Sequence, residues 1–162
     1  MEDKRITKTK CALKSALLDL LTTQAFDVIS ITELCKIANV SRITFYTHYK
    51  DKFALLDDIF NDMLIIGKEG YHRRQEENNP ENNLTQGYLN VLDSILSLYY
   101  ERYDFFQHVV PETNPYLAFR FYRILLDTVE SHTDKLKASY SLKIFCKTDC
   151  RIHLLWSVRI YQ

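Results

Sequence analysis

Apolar residues recur every three or four positions along most of this 162-residue chain, and that period predicts helices. Leu13, Ala16, Leu17, Leu20 and Leu21 mark one stripe of a helix over residues 8–24. Leu55, Leu56, Ile59, Phe60, Met63 and Ile66 do the same for a longer helix that starts near Asp51 and runs toward Arg74. QEENNPENN, residues 75–83, has no periodicity and a central Pro80, so it predicts a loop and the clearest internal break. Beyond it, Tyr88, Val91, Leu92, Ile95, Leu96 and Tyr99 predict an amphipathic helix, and Asp104 is a cap for a short helix through Val110. Asn114 followed by Pro115 supplies an N-cap and a first helical position for a helix over 115–132. That helix is apolar on more than one face, which suits the middle of a bundle. Residues 133–145 are a further helical candidate, and 149–162 carry Leu154, Leu155, Trp156, Val158 and Ile160. The expected fold class is all-α.

The most specific stretch is SITELCKIANVSRITFYTHYKDK, residues 30–52. Ser30 and Glu33 have the spacing of a capping box, in which each side chain serves the other's backbone N–H. Ile31, Leu34 and Ala38 then share one inward face. Asn39 tolerates the left-handed conformation with which helices commonly end. Val40 is placed to plug the corner between two helices, and Ser41 is an N-cap for the second. This puts Arg42, Ile43 and Thr44 in the first turn, the part that a recognition helix presents to base edges.

VSRITFYTHYKDK, with FDVISITELCKIANV before it, resembles the N-terminal DNA-binding domain of TetR-family transcriptional regulators over roughly residues 8–60. In that family an aromatic such as Tyr46, a residue such as His48, a bulky apolar residue such as Tyr49 and a lysine such as Lys52 recur in this order. Asn39 stands where the family usually has glycine. The resemblance implies a helix-turn-helix domain over 1–52 and a helical ligand-binding and dimerisation domain over 53–162. It also implies a homodimer on a near-palindromic double-stranded DNA operator, with Thr32, Ser41, Arg42, Ile43, Thr44, Tyr46, His48, Tyr49 and Lys52 at the DNA. Tyr46, His48, Lys52 and Thr32 are the expected phosphate contacts. Arg42 is the expected base reader, since its planar fork pairs with guanine O6 and N7, and Thr44 suits a base or a thymine methyl. Family members commonly run some tens of residues longer, so the final helix is expected to be short or the tail incomplete. Leu136, Leu142, Phe145, Leu154, Leu155, Trp156 and Val158 are the expected dimer contacts.

Net charge is zero, yet residues 1–52 carry nine Lys and Arg against six Asp and Glu, and the remainder twelve against fifteen. Lys4, Arg5, Lys8 and Lys10 form a basic arm ahead of the reading unit. No apolar run reaches the ~18 residues of a membrane span, so a cytoplasmic protein with no membrane partner is expected. Its four cysteines, too sparse for a disulfide scaffold, are expected to be thiols. Three glycines cannot build a phosphate loop, and no nucleophile and base pattern emerges. Cys146, Cys150 and His153 have helical spacing but lack a fourth zinc ligand. The expectation is therefore no enzyme and no cofactor. Tyr88, Tyr99, Phe105, Phe106, His108, Phe119 and Tyr122 are candidates for a pocket that takes a small apolar or aromatic effector, and its binding would release a repressor. The alternative is a coactivator regulated by a protein partner.

Overall fold

The computed structural model describes residues 4–139, with side chains for residues 4–131. Among them the fold is all-α: α1 (Lys4–Leu21), α2 (Ile31–Ile37), α3 (Arg42–His48), α4 (Lys52–Asn78), α5 (Leu84–Glu101), α6 (Tyr103–Phe106) and α7 (Pro115–Ser139), with a single 3-10 turn at Phe26–Val28. None of the described helices is long and apolar enough to cross a membrane. A first compact unit ends at Leu126 and a second begins at Asp127, within α7. The sequence boundary at 52/53 falls at the first residues of α4.

Helices α1, α2 and α3 form a three-helix head joined through α4 to the rest of the first unit. Leu13, Ala16, Leu17, Leu20 and Leu21 of α1 are all buried, as their stripe requires, with Phe26, Ile29, Leu34 and Phe45. The same core continues through Leu55, Leu56, Ile59, Phe60 and Met63 on α4 to Phe105, Phe106 and Leu117. One buried polar link reaches across it: the Phe26 N–H donates to Asn114 Oδ1 at 2.6 Å. The Phe26 ring stacks on Tyr116 with centroids 5.7 Å apart, and Phe53 meets both rings edge-on. Arg120 on α7 pairs with Asp57 on α4.

Several boundaries differ from the sequence reading. α1 starts at Lys4, so the basic arm is helix. α4 continues to Asn78 because Gln75, Glu76 and Glu77 favour helix, which leaves a loop of residues 79–83. Asn79 ties that loop, donating to the Asn83 carbonyl and accepting from the Asn83 N–H. Asp104 lies in the first turn of α6 rather than at its cap. α7 passes through 133 without a break, and Phe119 and Tyr122 on it are exposed.

The largest departure is in α5. Its buried residues are Gly87, Asn90 and Ser94, whereas Leu89, Leu92, Leu96, Tyr99 and Tyr100 are exposed. Opposite lies α4, whose Gly70 leaves little room for a side chain: an added Cβ would sit 3.2 Å from Arg74. Fully buried Asn90 donates to Gln75 Oε1 and Asn78 Oδ1 and accepts from Gln86. The Arg74 guanidinium donates to the Gly70 carbonyl and to Ser94 and Ser97. This stretch of the α4–α5 seam is thus built from small and polar groups that satisfy one another, and Leu98, packed on the core beside Gly67, closes it at the other end.

Candidate nucleic-acid interface

The turn between α2 and α3 is set by groups a few residues apart. Glu33 N–H donates to Ser30 Oγ at 3.2 Å, and Ser30 N–H donates to Glu33 Oε2 at 2.9 Å, a complete capping box. The Ser30 hydroxyl, which donates to Glu33 Oε2 at 2.7 Å, and then the Ser30 N–H hold the exposed Glu33 carboxyl below its ordinary pKa. At the other end of α2, Val40 N–H donates to the Cys35 carbonyl and Asn39 N–H to the Lys36 carbonyl, the paired bonds of a Schellman motif. Asn39 has φ 53°, the left-handed conformation in which an asparagine costs least after glycine. The chain then leaves toward Ser41, whose Oγ accepts from the Thr44 N–H at 3.0 Å and starts α3.

One side of α3 is anchored and the other is open. Phe45 is fully buried, and Tyr49, just past the helix, is buried too. Arg42, Ile43, Tyr46 and Thr47 are exposed, as two i, i+4 pairs on one face. Ile43 is 80% exposed, an arrangement with no packing purpose inside the chain. Thr47 belongs to this face and was missed; its spacing of four from Ile43 was the available signal. Thr44 is half-buried, its hydroxyl 2.8 Å from Ser41 Oγ, and His48 is half-buried. Thr32 is exposed in the first turn of α2, where the Glu33 carboxylate already occupies the helix end. Lys36 on α2 and Lys50, two residues past α3, are exposed and supply positive charge that the motif alone did not single out.

Two residues expected at the DNA are committed inside the fold. The Lys52 ammonium donates to the carbonyls of Phe26, Asp27 and Ile29 at 2.9, 2.7 and 2.9 Å and lies 5.0 Å from the Phe26 ring centroid. Three donors meet three acceptors, so Lys52 holds the α1–α2 connection against the start of α4; burial lowers its pKa against the pull of Asp27. Tyr49 packs in the core and its hydroxyl donates to Asp58 Oδ2 at 2.6 Å. Lys14 on α1 joins the same group, contacting Asp58 at 3.0 Å and also Asp62. Burial works against the Lys14 charge, but its hydrogen bonds to Asp62 and Asp58 prevail and raise its pKa. For Asp58, too, burial opposes ionisation while Tyr49 and Lys14 lower the pKa on balance. Burial, then the Asp58 hydrogen bond, pushes the Tyr49 phenol far up. This cluster ties α1, the end of α3 and α4 together and so fixes the angle at which α3 is presented.

The ring residues proposed for an effector pocket divide. Phe105 and Phe106 are buried core residues, and Tyr99 stacks on Phe106 at 5.5 Å. Tyr88, Phe119 and Tyr122 are exposed. His108 gives its carbonyl to Asn114 Nδ2 at 3.0 Å, and its ring Nε2 is buried without a hydrogen-bond partner among the described residues. Among the described residues an open polar cleft of about 450 Å³ lies at the α4–α5 loop, lined by Asn78, Asn79, Pro80, Glu81, Asn83, Thr85 and Gln86. Cys146, Cys150, His153 and the expected dimer contacts Leu136, Leu142, Phe145, Leu154, Leu155, Trp156 and Val158 lie outside the residues whose side chains are described.

A helix-turn-helix with one helix face left open is the architecture of a DNA-reading module. Consistent with this, 58 residues of the chain are 40% identical to an uncharacterized HTH-type transcriptional regulator, YxbF, of Bacillus subtilis (strain 168); the match covers 36% of this chain and spans only 14% of that relative's length. No family model matches the chain. No solved structure matches it.

Proposed function

We propose that this protein is a sequence-specific regulator of transcription of the TetR type, a cytoplasmic homodimer that represses from a near-palindromic operator and has no enzymatic activity. The observation that carries the reading is the open face of α3: Arg42, Ile43, Tyr46 and Thr47 are exposed behind a turn held by two caps and a Schellman motif. The similarity to an HTH-type regulator supports it. Two such faces held ~34–36 Å apart enter successive major grooves, which sets the half-site spacing. Arg42 reads a guanine, Ile43 meets a thymine methyl or sugar, and Tyr46 and Lys36 take phosphates. Lys52 acts by holding the α1–α2 connection. A small apolar or aromatic effector that engages the ring-rich body around Tyr99, Tyr122 and His108 releases the DNA.

Selection of duplexes from a randomised pool, followed by gel retardation, tests the reading. Arg42→Ala is expected to lose ~1–3 kcal/mol on the selected site and to relax preference at one base pair. Equal loss on every single-base variant would remove Arg42 as a reader, and a pool that yields no retained sequence would remove the function. A ligand screen by thermal shift addresses the effector: no stabilising compound of that class means that release is achieved in another way.

A further inference from the structure

The outward face of α5 has a pattern that its exposure does not explain. Leu89, Leu92, Leu96, Tyr99 and Tyr103 are spaced by three, four, three and four residues, and Tyr100 flanks them. Alternating threes and fours is the interval with which one helix lies along another. At 100° per residue the α5 members fall in one narrow stripe, and Tyr103 extends it past the break at Arg102. Each of the six is at least 38% exposed, and exposed Asp93, one turn from Leu89 and Leu96, is the charged residue at the edge of the stripe. The opposite side of α5 is already engaged by α4 through Asn90, Ser94 and Ser97, so the helix cannot roll its leucines inward without burying broken hydrogen bonds.

We propose that a second copy of this chain covers the stripe, α5 against α5 about a two-fold axis near Leu96. The exposed parts of the six side chains amount to ~600 Å² per copy, and two copies together reach the lower bound of about 1,200 Å² for a specific interface. A two-fold contact needs a surface complementary to itself. Here three leucines occupy one half of the stripe and a tyrosine cluster the other, so an antiparallel crossing sets each cluster on its partner's leucines. The cluster is preformed: Tyr99 meets Tyr100 edge-on at 5.8 Å and Tyr103 at 5.9 Å, backed by Phe106. Rigid aromatic anchors of this kind carry most of the energy in stable interfaces. The inference deepens the homodimeric part of the reading above and is independent of its DNA-binding part.

Sedimentation of the full chain at micromolar concentration is the test, with circular dichroism to check folding. Wild type is expected at the dimer mass and Leu92→Glu/Leu96→Glu at the monomer mass, whereas Ile65→Glu, at an exposed apolar position on α4, stays dimeric. A monomeric wild type, meaning that the stripe serves another occupant, overturns the proposal, and so does a dimer that survives the double substitution. Should the double variant lose its helical signal, the single variants Leu96→Glu and Leu96→Lys replace it. Each alone is expected to be monomeric and their equimolar mixture dimeric; a mixture that stays monomeric overturns the interface. Gel retardation of the same samples separates the two readings. A dimer that retains no duplex sinks the DNA function and leaves the interface, and a monomer that retains a half-site does the reverse.

Discussion

The reading head and the α4–α5 pair are both helical, yet they are held together in opposite ways. In the head, α1 turns its leucines and α3 its Phe45 inward, with Ile43 and Tyr46 the apolar residues that α3 leaves outside, so its stability comes from removing apolar surface from water. In the α4–α5 pair, Asn90, Ser94, Ser97 and Arg74 meet across the seam, Leu98 alone of the α5 leucines packs on the core, and Leu89, Leu92 and Leu96 face out. Hydrogen bonds exchanged for water contribute little net energy, but they cost a great deal when one partner is removed. The head therefore tolerates polar changes on its surface, while the pair depends on a complete set of partners.

The largest test of this contrast is Phe45→Ala, which opens a cavity in the head and should cost ~3–5 kcal/mol in urea unfolding. A loss below ~1 kcal/mol would mean that the head is not held by its apolar core. Asn90→Ala removes a fully buried amide together with its bonds to Gln75, Asn78 and Gln86, and should cost ~1–3 kcal/mol. If Asn90→Ala proves neutral, the polar seam does not hold the pair. Ser41→Ala removes the cap of α3 and should cost ~1 kcal/mol, visible also as faster hydrogen exchange at the Thr44 amide.

Acid gives a smaller, head-specific effect. Asp58 titrates below its ordinary 3.8 in the folded chain, so its contribution is present above about pH 4 and is lost as pH falls through the lower folded value. Lys14, raised above its ordinary 10.5, contributes fully below that pH and loses its share as pH rises through the higher folded value. Unfolding curves for Asp58→Asn should fall less steeply below pH 4 than those of wild type; identical slopes would exclude the Lys14–Asp58–Tyr49 cluster as their source. Smallest of all is Leu92→Gln on the exposed stripe, which should change the unfolding free energy of the dissociated chain by no more than ~0.5 kcal/mol. A loss of several kcal/mol there would reverse the assignment of inside and outside in α5.

What was legible in the sequence was short in range. The Ser30–Glu33 box, the left-handed Asn39 and the Ser41 cap act over three to five residues, and a reader of the chain has all the partners in view. The apolar stripe of α1 was legible because no competing face existed. For α5, periodicity revealed an apolar face but not its direction, since that was decided by Gln75 and Asn78 on another helix. Lys52 was assigned to phosphate by its place in a motif, whereas three backbone carbonyls 23–26 residues earlier hold its ammonium. Tyr49 looked like an interface residue until the position of Asp58, one element later, was known. The fate of the rings expected around an effector was least legible, because aromatic content says nothing about whether rings enclose space or fill it.

The bond from the Phe26 amide to Asn114 spans 88 residues, and this has a bearing on how the protein is made. During synthesis the segment through Lys52 leaves the ribosome well before Asn114 exists, so the nascent head has its helices and caps but neither that acceptor nor the Tyr116 ring that stacks on Phe26. Contacts distant in sequence are slow to form and come late. A chain halted between α4 and α7 should therefore hold a loosened 3-10 turn, and DNA-competent heads should accumulate only after the start of α7 has been translated. The order of synthesis itself thus delays completion of the head until the first turn of α7 is present.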